Sequence, residues 1–88
     1  MSDTLGLLEE ARQLATDLGY EVREEPLGDL PGGRCELAGA VHVLLNLEHT
    51  VSERLDRLLR ALGDDPRVDR EPKSRLLAAR LEALRPAR

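Results

Sequence analysis

Rings are nearly missing from this sequence. Tyr20 is its single aromatic residue, with no Phe and no Trp in 88 residues. A core without large rings has to be assembled from Leu, Val and Ala, each of which buries less surface than a ring. Such a core has little distinctive shape, and small Leu-rich domains are often completed by a partner. The shortage of aromatics also excludes the stacking platforms of single-strand nucleic-acid binders and the Trp or Phe anchors of membrane-surface helices. Cysteine is equally scarce. Cys35 stands alone, so no intramolecular disulfide is possible and the chain suits a reducing compartment. Long hydrophobic runs are missing too. Stretches such as Val43-Leu44-Leu45 fall far short of the ~20 residues of a membrane span. The first residues lack the basic start and apolar stretch of a secretion signal, so the sequence predicts a cytoplasmic chain.

What is present is charge and leucine. Apolar residues make up 41% and charged residues 34%, a globular balance. Residues 1–88 read as one domain, which at this length buries about 60–65% of its unfolded surface. The net charge of −4 is unevenly spread: residues 1–66 carry −8 and residues 67–88 carry +4. An acidic body with a basic tail suits self-association, or a tail that meets an anionic surface.

Hydrophobic periodicity places a helix over residues 3–18, with Leu7, Leu8, Ala11, Leu14, Ala15 and Leu18 on one face. Ser2 or Asp3 caps it, and Gly19 follows as a residue free to take positive φ. Residues 20–25 alternate as a strand with Tyr20 and Val22 inward, and Pro26 ends it. Residues 27–33 are turn-rich. Residues 34–37 and 41–47 form a hairpin, for which two registers compete. A three-residue loop, Ala38-Gly39-Ala40, sets Cys35 opposite Val43 and turns Cys35, Leu37, Val41, Val43, Leu45 and Leu47 inward. A two-residue loop sets Cys35 opposite His42 and mixes the faces. Matching apolar with apolar favours the first. Thr50-Val-Ser-Glu53 is a capping box for a helix to about residue 62. Residues 67–71 are short and irregular. Pro72 then suits the first position of a last helix to about residue 84, stopped by Pro86. The expected fold is α+β in the order α-β-β-β-α-α. Its small, mostly antiparallel three-stranded sheet carries helices on one face, and the other face is solvent-exposed or an interface.

No catalytic, cofactor or metal-binding motif emerges. Cys35, His42 and His49 lie close in sequence, but CxxC, HxxxH and HExxH are all missing. In the favoured register Cys35 and His42 point to opposite faces. A buried thiol, a strand histidine and a loop histidine are the plainer explanation. Gly32-Gly33-Arg34 precedes a strand rather than a helix, so it reads as a turn and not as a phosphate loop. The pairs Glu9-Glu10, Glu24-Glu25 and Asp64-Asp65 point in divergent directions and read as solvated surface. Arg67, Arg70, Lys73, Arg75, Arg80, Arg85 and Arg88 offer phosphate contacts, against an acidic body and a ring-poor composition. The sequence therefore points away from nucleic acid and membrane, and towards a protein partner or self-association.

The stretches Leu18-Gly-Tyr-Glu-Val-Arg-Glu-Glu-Pro-Leu-Gly28, Gly32-Gly-Arg-Cys-Glu-Leu37 and Val43-Leu-Leu-Asn46, with the tail Pro72-Lys-Ser-Arg75-Leu-Leu77, resemble a family of short uncharacterised bacterial proteins. The resemblance spans most of the chain and implies no activity. More distantly, a helix, a hairpin ending in Leu-Asn and a second helix are similar to the core of ImmA/IrrE-type zinc metallopeptidases. There the helix after the hairpin holds HExxH. Here it reads Glu53-Arg-Leu-Asp-Arg-Leu-Leu-Arg-Ala-Leu62, without histidine. That resemblance implies a relative without catalytic zinc.

Overall fold

A computed structural model describes residues 3–85. The elements follow the order α1 (Thr4–Asp17), β1 (Glu21–Glu25), β2 (Gly33–Leu37), β3 (Ala40–Asn46), α2 (Val51–Leu62), a 3₁₀ turn (Pro66–Arg70) and α3 (Arg75–Leu84). This is an α+β fold with a three-stranded sheet in the order β1-β3-β2. β2 pairs antiparallel with β3 and β1 pairs parallel with it. Among the described residues no helix is long and apolar enough to cross a membrane.

Local chemistry sets the element ends. Asp3 caps α1 by accepting the Gly6 N–H, while Ser2, the other cap candidate, lies outside the described residues. Gly19 takes φ +90 just past the helix, as an αL stop requires. The Thr50–Glu53 capping box forms in full: the Thr50 hydroxyl accepts from Glu53 N–H and the Glu53 carboxylate accepts from Thr50 N–H. Two boundaries differ from expectation. Residues 66–70 are a 3₁₀ turn capped by Asp65, not irregular chain. α3 starts at Arg75 behind the N-cap Ser74, so Pro72 precedes the helix rather than opening it. The Ser74 hydroxyl accepts the Leu77 N–H and donates to Glu10, whose carboxylate also accepts the Ser74 N–H. Glu10 thereby ties α1 to the start of α3. The stop at Pro86 lies outside the described residues.

The core is aliphatic, with Tyr20 its single ring. Leu8, Ala11, Leu14 and Ala15 from α1 meet Leu55, Leu58, Leu59 and Leu62 from α2, with Leu77 and Leu81 from α3 and Val68 from the 3₁₀ turn. Val43 and Leu45 of β3 close it from the sheet side, with Val22 and Val41 at its margin. α1 and α2 thus cover one face of β1 and β3.

The hairpin register is a correction. The loop is two residues long, Ala38-Gly39, and Cys35 stands opposite His42, Arg34 opposite Val43 and Leu37 opposite Ala40. Both loop residues have positive φ, +52 and +83, the type I′ geometry whose twist matches that of the strands. Every β2 side chain therefore moves to the face opposite the expected one. Cys35 and Leu37 lie away from the helices and are exposed, and Leu47, expected inward, is exposed as well. Pairing apolar with apolar failed as a guide because the helices do not cover β2, and all five of its residues are exposed.

The segment between β1 and β2 crosses the end of β3. Asn46 anchors it. This side chain is fully buried; its oxygen accepts from Leu27 N–H and Glu48 N–H, and its amide donates to the Gly28 and Leu30 carbonyls. Gly32 passes so close to the Leu44 carbonyl that a Cβ would collide with it, and its φ is +80. Glycine is required there by both sterics and backbone conformation.

Candidate functional site

Cys35 and His42 form a cross-strand pair on the bare face of the sheet, not on opposite faces. Side chains alternate along each strand, so Arg23 and Glu25 of β1, Leu44 of β3 and Leu37 of β2 share that face. Together they line a shallow, mainly apolar depression of about 250 Å³. The Cys35 thiol is exposed rather than buried, contrary to the simplest expectation for a lone cysteine. His49 lies elsewhere, beyond the end of β3 and next to the N-terminus of α2. The three residues with metal-binding side chains therefore do not come together. Among the described residues no three His, Cys, Asp or Glu side chains group as a metal site.

His49 lines a second, larger cleft of about 550 Å³ between α2 and the crossing segment, with Asp29, Glu53, Asp56, Arg57 and Arg60. The His49 Nδ1 is buried without a partner. Two of the acids beside it, Glu53 and Asp56, are already engaged. Glu53 closes the capping box, and hydrogen bonds from Thr50 hold its carboxyl below the usual range. Asp56 accepts from Arg80 Nε at 2.9 Å. A carboxylate kept ionised by helix capping makes a poor proton donor at neutral pH. This cleft gathers charge without arranging an acid–base pair.

The charge asymmetry of the sequence resolves into ion pairs inside the fold. Arg80 also donates to the Ser52 hydroxyl, fastening α3 to α2. Arg85 pairs with Asp69 at 2.8 Å and with Glu82 at 3.3 Å. Arg67 grips Asp65, and Lys73 donates to the Glu71 carbonyl. Among the basic residues that offered phosphate contacts, Arg80 and Arg85 thus face carboxylates, and Arg75 is exposed. Arg88 lies outside the described residues.

Two polar groups that sequence reasoning passed over are structural anchors. Glu24, expected on the solvated surface, turns under the sheet and bridges Arg12 of α1 and Arg54 of α2. Its burial follows from the β1 register, which sets it beside Leu45 on the helix-covered face. Tyr20 donates to Asp65 at 2.9 Å. Burial and the Asp65 carboxylate push the Tyr20 phenol above its ordinary value, while the Arg67 guanidinium holds Asp65 well below the carboxylate range. A phenol held neutral beside a paired carboxylate is a fastening between the end of α1 and the 3₁₀ turn, not a nucleophile with a base. The signal for Asn46 was in the sequence, as the asparagine ending an apolar strand, but three of its four partners are backbone groups 16 to 19 residues away.

Among the described residues no helix covers the β2 side of the sheet: an exposed edge strand, with the Cys35–His42 face behind it. The chain matches no family model, no curated protein and no solved structure.

Proposed function

We propose that this chain is a non-enzymatic protein-interaction domain, and that its partner is a second copy of itself. One observation carries the reading. β2 stands at the edge of the sheet and is exposed at every residue, including Leu37 at 65%, while the face behind it is covered by no helix. An edge strand presents a row of N–H and C=O groups that another strand can pair with. Small domains with ring-poor cores gain most from such completion. The lone exposed thiol fits a reducing, cytoplasmic setting, where it persists unoxidised. Sedimentation velocity over a dilution series tests the reading. A dimer that dissociates on dilution supports it. A monomer that persists at high micromolar concentration removes the self-association.

A further inference from the structure

We infer that two copies join through β2, antiparallel about a two-fold axis at Cys35, into one continuous six-stranded sheet. The inference rests on the self-association reading and names its surface and register.

The argument starts from the hairpin. In a two-residue type I′ hairpin the residues flanking the turn, here Leu37 and Ala40, exchange both of their backbone hydrogen bonds. Hydrogen bonding alternates along the strand, so Gly33, Cys35 and Leu37 turn their backbone groups towards β3. Arg34 and Glu36 turn theirs to the open edge. A strand added at that edge must bond to residues 34 and 36.

Charge then selects the register. Three two-fold pairings keep the alternation intact near the middle of the strand. Centred on Arg34, the pairing sets Arg34 against its own copy. Centred on Glu36, it sets two glutamates face to face. Centred on Cys35, it sets Arg34 opposite Glu36 of the other copy, twice. Like charges directly opposite each other destabilise a sheet and opposite charges support it. Within one copy Arg34 and Glu36 are a loose pair at 3.5 Å with exposures of 43% and 69%; Arg34 also lies beside the Tyr20 hydroxyl, and Glu36 is the freer head.

The other edge resists the same pairing. β1 reads Glu-Val-Arg-Glu-Glu, a net charge of −2 against zero for β2; a two-fold at Arg23 sets Glu21 against Glu25 and one at Glu24 sets two glutamates face to face, while one at Val22 sets Glu21 opposite Arg23. Pro26 follows it without an N–H to donate. With a net charge of −2 over β1 and zero over β2, repulsion between copies is smaller at β2, and a two-fold pairing at that one edge closes on itself.

The Cys35 register supplies its own readout. The two Cys35 residues form a non-hydrogen-bonded pair, whose Cα atoms lie about 4.5 Å apart, within the range a disulfide spans. Diamide takes two electrons and two protons from the two thiols, becoming the hydrazine as the S–S bond forms. The experiment treats the full chain with diamide, and sediments in reductant the wild type, Arg34→Glu, Glu36→Arg and the double reversal. We expect one disulfide-linked dimer. Each single reversal should weaken association about tenfold or more, and the double reversal should restore it. Denaturant titration of each variant separates lost pairing from lost folding, and the diamide result needs no variant at all. A dimer indifferent to both reversals, whose thiols do not link, overturns the register and leaves the self-association reading standing. A monomer in every sample overturns both.

Discussion

Asn46 is the fully buried polar side chain of the described core. Its four hydrogen bonds all go to backbone groups, three of them in the segment between β1 and β2 and one at Glu48 just past β3. Removing the side chain leaves several part-buried backbone groups unsatisfied, and each such loss is costly. Asn46→Ala should therefore destabilise the chain by about 2–4 kcal/mol. A urea titration checks it, and a loss below about 0.5 kcal/mol would show that water replaces the amide without strain. Ala38 presents the opposite case. It holds φ +52, which Asn and Gly tolerate better than Ala. Ala38→Asn keeps the same turn with a better-suited residue and should stabilise the hairpin by up to about 1 kcal/mol. Asp65 adds a pH signature. Its folded-state pKa lies below the unfolded value of 3.8, so its contribution is present above that value and lost as pH falls through the folded pKa. Tyr20 behaves conversely: its contribution is present below 10.0 and lost as pH rises towards its raised value. Asp65→Asn should flatten the acid limb of a stability–pH curve, and an unchanged acid limb would assign acid sensitivity to other carboxylates.

At the scale of elements, the helices and the inward faces of β1 and β3 were legible and the face of β2 was not, for a physical reason. The stripes of α1 and α2 are covered along their length, so a 3.6-residue period in the sequence reports burial directly. The capping box and the αL glycine are local signals satisfied by local atoms, and they survive intact. β2 is different. Its face assignment depends on whether anything covers it, and nothing in Gly-Arg-Cys-Glu-Leu states that. The resulting slip by one residue moved Cys35 beside His42 and carried the question of the site with it. Glu24 shows the same limit from the other side: a carboxylate beside a second glutamate looks solvated until Arg12 and Arg54 arrive from two helices. α3 is short and held by two leucines, the Glu10–Ser74 contact and Arg80. Leu77→Ala should cost about 2–5 kcal/mol. Amide exchange in α3 should rise more than in α1, since few contacts hold it besides the deleted side chain. Equal loss of protection in both helices would mean that α3 unfolds only with the whole domain.

The whole molecule is a half-covered sheet, with ion pairs fastening helices under one face and a bare face on the other where Arg23 pairs with Glu25. Arginines of the basic tail reach acids of the body or of the tail itself, so the opposed charges suggested by the sequence are in good part met within one copy. Self-association then has to come from the β2 edge rather than from tail meeting body. This changes what should control it. Glu36 turns its N–H to the open edge, away from β3, so Glu36→Pro deletes an intermolecular donor without touching the hairpin ladder. Binding that occurs only in the folded state raises apparent stability by mass action. The wild type should accordingly show a melting temperature that climbs with protein concentration, while Glu36→Pro should melt at one temperature throughout. At high dilution, where the dimer has dissociated, the two should come together to within the cost of a proline on an edge strand. A concentration dependence that survives in Glu36→Pro would move the interface off β2, and the helix-free face around Leu44 would then be the surface to substitute next.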